Sequence, residues 1–105
     1  MQKITPAELK KRLDGSKNLV LLDVREPWEF SICKIEGAIN IKMSDSEKLL
    51  NDLNLKDEIV AICHHGMRSF QVCEFLESNG FNNVINLDGG IDAWAKTIDS
   101  DMAQY

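Results

Sequence analysis

The chain has 105 residues, which at about 100 to 200 residues per domain leaves room for one compact domain spanning residues 1–105. Hydrophobic residues make up 44% and charged residues 28%, a balance too apolar for intrinsic disorder, and a chain of this size buries enough surface to fold without a disulfide or metal staple. The 12 Lys and Arg against 17 Asp and Glu give a formal charge of −5, which disfavours nucleic acid or an acidic membrane surface as a partner.

Thr5-Pro6-Ala7-Glu8 carries an N-cap, a proline at the first helical position and the returning acid of a capping box. It predicts a helix over 7–13, ended near Gly15, with Leu9 and Leu13 as its buried stripe. The residues before it, Met1 to Pro6, lead straight into this charged helix and lack the apolar region of a signal peptide. Asn18-Leu19-Val20-Leu21-Leu22-Asp23-Val24 is a nearly continuous apolar run without alternation, the pattern of a central parallel strand covered on both faces. The longest purely apolar run, Leu19 to Leu22, is far short of the roughly 20 residues that span a bilayer, so no membrane partner and a cytoplasmic location are expected.

Glu26-Pro27-Trp28 breaks that strand, and a loop-rich stretch leads to a short strand at Gly37 to Ile41, too brief to be central. Ser44 or Asp45 caps a helix from about Ser46 to Leu53. Glu58 to Cys63 is a second buried-strand pattern. After it come His64-His65-Gly66-Met67 and a helix from Arg68 to Asn79, with Phe70, Val72, Cys73, Phe75 and Leu76 apolar and Gly80 in the position of a left-handed cap. Val84 to Leu87 is a third strand, Asp88-Gly89-Gly90 a turn and Ile91 to Lys96 a last helix. Asp99 to Tyr105 reads as a loosely held tail.

Short helices alternating with apolar strands predict an α/β fold, a three-layer sandwich with a mostly parallel sheet between two helical layers. Ligands of such sheets gather at the carboxyl ends of the strands. Two segments occupy that place: Asp23-Val24-Arg25, and Cys63-His64-His65-Gly66-Met67-Arg68-Ser69.

Three cysteines are an odd number, with no Cys-x-x-Cys pair and no zinc spacing, so at least one thiol is free. Cys63 ends a strand and precedes a helix by a few residues, which lets the intervening N–H groups curl around its sulfur as an anion-binding nest that favours thiolate over thiol. Gly66 permits the tight loop through a positive φ. Arg68 supplies a permanent charge able to hold an anionic substrate bidentately, and His64 and His65 are expected to add partial positive charge. A loop of this composition does not favour burying an inert thiol, so Cys63 is the expected nucleophile. Cys73 lies on an apolar helix face and reads as core; Cys33, in an irregular segment, reads as an incidental thiol. His64 and His65 are adjacent, so their side chains are expected to diverge, and no metal site is expected. Trp28 and Trp94 are expected to cover core edges.

The loop from Cys63 to Ser69 resembles the Cys-x-x-Gly-x-Arg-Ser active-site loop of rhodanese-like sulfurtransferases. Two further segments agree. Leu22 to Phe30 with Ile35 to Ile41 is similar to the family's first signature, and Leu87-Asp88-Gly89-Gly90-Ile91-Asp92-Ala93-Trp94 to its closing one. The likeness departs at Cys33-Lys34-Ile35, where the family usually has Gly-His-Ile, and at Lys42, often a proline; both lie away from the sulfur-binding loop.

The resemblance implies a rhodanese-like fold and ping-pong sulfur transfer without a cofactor. Cys63 would take the outer sulfur of thiosulfate or another sulfane donor as a persulfide and pass it to cyanide, a thiol or a protein. Main-chain N–H groups of His64, His65, Gly66, Met67, Arg68 and Ser69 would hold the persulfide. Asp23 and Arg25 would buttress the loop by hydrogen bonds rather than act in catalysis. Two other readings stand beside this one: a non-catalytic module that carries a persulfide while docked on a partner, and a phosphatase or arsenate reductase. The latter use Cys-x5-Arg loops, whereas only four residues, His64 to Met67, separate Cys63 from Arg68 here, which suits a single sulfur better than a tetrahedral oxyanion.

Overall fold

The computed structural model describes residues 1–15 and 18–105. In chain order the elements are β1 (Gln2–Ile4), α1 (Pro6–Asp14), β2 (Val20–Asp23), α2 (Pro27–Ile32), β3 (Ile39–Asn40), α3 (Ser46–Asp52), β4 (Ile59–Ile62), α4 (Met67–Ser78), β5 (Val84–Leu87) and α5 (Gly90–Thr97). The strands form one sheet in the order β1-β5-β4-β2-β3, with every pairing parallel.

The unbroken apolar runs of β2, β4 and β5 follow from burial on both faces, since alternate residues enter different cores. Leu22, Ile59, Ala61 and Val84 pack with Leu49 and Leu53 from the α3 side and with Val72, Cys73 and Leu76 of α4. Leu21, Val60, Ile62, Ile85 and Leu87 face the other way, onto Leu9 of α1 and Ile91 and Trp94 of α5. The result is the α/β/α sandwich expected from the alternation of elements. β4 lies at its centre, and β2 pairs with it in register, Asp23 opposite Ile62. The carboxyl ends of these strands therefore open onto the same edge.

Two elements were not legible in the sequence. β1 is a three-residue edge strand pairing with β5, too short to show a period. The stretch after Glu26 is not loop but α2, with Pro27 at its first position and the Glu26 N–H donating to the Glu29 carboxylate at 2.9 Å. Proline read as a strand breaker is here a helix starter. Cys33, expected in an irregular segment, is buried at the end of α2. Trp94 is buried as expected, but Trp28 is 61% exposed. The tail from Asp99 is not loose at its end, for Tyr105 returns to the carboxyl edge of the sheet and hydrogen-bonds to Arg25 and Glu29.

Candidate active site

Cys63 follows β4 directly, and its backbone carbonyl and that of His64 accept hydrogen bonds from Ile91 N–H at 2.8 Å and Asp92 N–H at 3.0 Å, at the start of α5. Gly90 makes this contact possible. A Cβ built on it would lie 2.5 Å from Cys63 O and 2.4 Å from His64 O, where no side chain can stand. The loop turns at Gly66, which takes φ +106° and caps α4.

Gly66 N–H donates to Cys63 Sγ at 2.9 Å, so the sulfur sits at the N-terminal end of a 12-residue helix whose dipole favours negative charge there. The side chain is only 1% exposed, yet it meets donors as well as apolar atoms. Ser69 Oγ lies 3.3 Å from Sγ and also hydrogen-bonds to Asn86 Oδ1. Ser69 has one hydroxyl proton and two acceptors. When Cys63 is a thiol, its S–H can donate to Ser69 while Ser69 donates to Asn86; when it is a thiolate, the sulfur draws the Ser69 proton. Asn86 Nδ2 donates to Gly66 O at 3.0 Å, so one β5 side chain clamps both the turn and the hydroxyl beneath the sulfur. Asn86 was missed in the sequence, although a polar residue within the apolar Val84–Leu87 strand is the signal that could have marked it.

The loop's other side chains divide. Met67 is 76% exposed and His65 faces solvent, whereas Ser69 is fully buried below the sulfur and does not line an entrance. Burial and the neighbouring His65 hold the His64 pKa below its ordinary value. The two imidazoles do not diverge as expected: their rings stack, 4.2 Å between centroids and 8° from parallel.

Arg68 is not free for an anion. Its two terminal nitrogens bind the Glu29 carboxylate at 2.7 and 3.0 Å. That carboxylate also accepts from Glu26 N–H and from Tyr105 Oη at 2.6 Å. The Arg68 hydrogen bonds, aided by that of Tyr105 and opposed by burial, pull the Glu29 pKa down to about 2. Glu29 thus ties α2, the loop and the tail together.

Asp23 and Arg25 form a fully buried ion pair at 2.7 Å. Arg25 also donates to Cys33 O at 2.6 Å, Tyr105 Oη at 2.9 Å and Glu29 O at 3.3 Å, and Asn40 Nδ2 donates to Asp23 O and Arg25 O. Burial works against the Arg25 charge, but the Asp23 and Tyr105 hydrogen bonds outweigh it and raise its pKa. The expected buttress is therefore indirect: these bonds go to α2 and the tail, which hold Glu29, which holds Arg68. Cys73 is buried in the core, and desolvation pushes its thiol up to about 12.

Comparison with known proteins agrees with this architecture. The family model described as "Rhodanese-like domain" matches residues 5–97. The chain is 38% identical over 94 residues to YtwF of Bacillus subtilis, a provisionally named sulfurtransferase, covering 90% of each chain. It is 29% identical over 89 residues to the thiosulfate sulfurtransferase GlpE of Ectopseudomonas mendocina, covering 85% of this chain and 82% of that one. The crystal structure of a rhodanese-like domain protein from Staphylococcus aureus superposes with a TM-score of 0.84 at 37% identity, covering 90% of this chain and 91% of that one. No helix among the described residues is long and apolar enough to cross a membrane.

Proposed function

Because the chain belongs to the rhodanese-like domain family, whose relatives here are sulfurtransferases, we propose that it moves a sulfane sulfur through a persulfide on Cys63, with thiosulfate as one donor. The observation that carries this reading is the Cys63 Sγ held 2.9 Å from Gly66 N–H at the head of α4. The thiolate attacks the outer sulfur of thiosulfate. A new S–S bond forms, the old one breaks, and sulfite leaves with its electron pair. The terminal persulfide sulfur carries the negative charge, and the N–H groups of residues 64–69 are the donors available to it. An acceptor such as cyanide then takes that sulfur as thiocyanate and returns the thiolate; a thiol or protein nucleophile does the same. No external oxidant or cofactor enters the balance.

Arg68 acts here as a positioning residue, since its terminal nitrogens are engaged by Glu29. Ser69 supplies a hydroxyl beside the sulfur. The short loop and the deep sulfur favour a donor that offers a single protruding atom over a phosphate ester. Purified protein incubated with thiosulfate is expected to gain about 32 Da, the mass of one sulfur atom, and to lose it with dithiothreitol, as persulfide chemistry requires. Cys63→Ser should keep its fold and lose thiosulfate:cyanide turnover. Equal turnover in both proteins removes Cys63 as the nucleophile; an adduct without turnover moves the reading to a persulfide carrier.

A further inference from the structure

Three side chains that the sulfur chemistry does not use converge at the rim of the loop. Asp92, in the first turn of α5, places Oδ1 4.0 Å from His64 Nε2 and Oδ2 3.8 Å from His65 Nε2. These gaps are too long for hydrogen bonds. They lie a few tenths of an ångström above the spacing of two ligands on one tetrahedral ion: with bonds of about 2.0 to 2.2 Å to nitrogen and oxygen, such ligand atoms are about 3.3 to 3.6 Å apart. The ligand atoms of His64, His65 and Asp92 all lie within 4.8 Å of one another. Bringing all three onto one tetrahedral ion takes shifts of up to about 1 Å, within the reach of side-chain torsions.

The framework around the three is partly built. The stacked imidazoles hold both Nε2 atoms beside the same carboxylate, and because near-parallel rings carry near-parallel lone pairs, the exposed His65 ring turns to share an ion with His64; the Tyr105 ring lies 4.2 Å from that of His64. Asp92 N–H donates to His64 O at 3.0 Å, so the backbone segments carrying the ligands are tied to each other. Lys96 reaches Asp92 Oδ2 at 3.0 Å from an exposed position, and its flexible stem lets it yield to an ion.

We propose that His64, His65 and Asp92 form a site for a first-row divalent transition metal ion, with water completing the coordination. Two imidazoles and one carboxylate select zinc, copper or nickel over magnesium and calcium. The site rests on these ligands alone and is independent of the reading of Cys63.

The test uses the tag-free full chain carrying Cys63→Ser, which removes the nearby thiolate as a competing ligand. Zinc is titrated calorimetrically and cobalt by its visible absorption. Saturable binding of one ion is expected, weakened at least tenfold by His65→Ala and by Asp92→Asn, unchanged by the exposed Glu47→Gln on α3, and not reproduced by magnesium. His65 is 68% exposed, so its substitution leaves the fold intact. Absence of saturable binding in the Cys63→Ser chain overturns the proposal, as does binding that survives both ligand substitutions. Binding seen only when Cys63 is present assigns the ion to the thiolate and overturns it equally.

Discussion

Gly90→Ala tests whether the contact between α5 and the Cys63 loop sets the position of the proposed nucleophile. The added Cβ would meet His64 O at 2.4 Å, Cys63 O at 2.5 Å and His64 C at 2.6 Å, all backbone atoms that cannot rotate away. Relief requires the loop and α5 to part by about 1 Å, to ordinary van der Waals separation. The bonds from Ile91 N–H to Cys63 O at 2.8 Å and from Asp92 N–H to His64 O at 3.0 Å would then stretch past hydrogen-bonding range. Each lost bond costs about 1 kcal/mol or more, and an alanine at the φ of +62° costs about 1 to 2 kcal/mol besides. The sum is about 4 kcal/mol, a large part of the stability of a domain this size, and corresponds to a Tm lower by roughly 15 °C or more. Gly37→Ala is the control, since Gly37 also has a positive φ, +87°, but nothing lies within 4 Å of its Cβ. It should show the conformational cost alone, about 1 to 2 kcal/mol. Calorimetry of both variants, with thiosulfate:cyanide turnover measured well below either Tm, checks the reasoning. A displacement of this size at a nucleophile should lower turnover about 100-fold in Gly90→Ala and leave Gly37→Ala active. If the two variants melt together, or if Gly90→Ala turns over normally, the contact does not position the loop.

The depressed Glu29 pKa makes a prediction about acid. With a folded value of about 2 against an ordinary 4.5, its ionised form contributes about 3 kcal/mol that is fully present above pH 4.5 and is lost as pH falls toward 2. Urea unfolding should therefore show Glu29→Gln less stable at pH 7 and with a flatter acid limb; parallel curves for the two proteins would remove the Arg68 pair as the cause. Asn86→Ala leaves Gly66 O and the Ser69 hydroxyl without their β5 partner and should cost about 2 kcal/mol in urea, whereas a loss below about 0.5 kcal/mol would show that the clamp is not needed. Iodoacetamide at pH 7.5 should leave Cys73 unlabelled in the native protein, because burial holds its thiol at about 12. Peptide mapping that finds Cys73 modified as fast as a free thiol would contradict that burial.

What the sequence determined by itself was local. Unbroken apolar runs specify strands buried on both faces, and Thr5-Pro6-Ala7-Glu8 contains its own capping partners, with Glu8 N–H donating to Thr5 Oγ1 at 3.2 Å. The loop from Cys63 to Ser69 likewise holds its cysteine, its turn glycine and the start of the helix that follows within seven consecutive residues, so the spacing alone places sulfur and amides together. Tertiary structure decided which charges meet. Arg68 read as an anion holder because Glu29 lies on a helix that proline and shortness concealed, and only the sheet brings α2 against the loop. Asn86 became the clamp because β5 lies beside β4. Tyr105 became part of the edge because Arg25 and Glu29 offer a buried donor and acceptor that the tail can satisfy. The stacking of His64 on His65 likewise depends on what surrounds them. A side chain's propensity is written in its own neighbourhood, but its hydrogen-bond partner is chosen by what the fold leaves unpaired within about 3 Å.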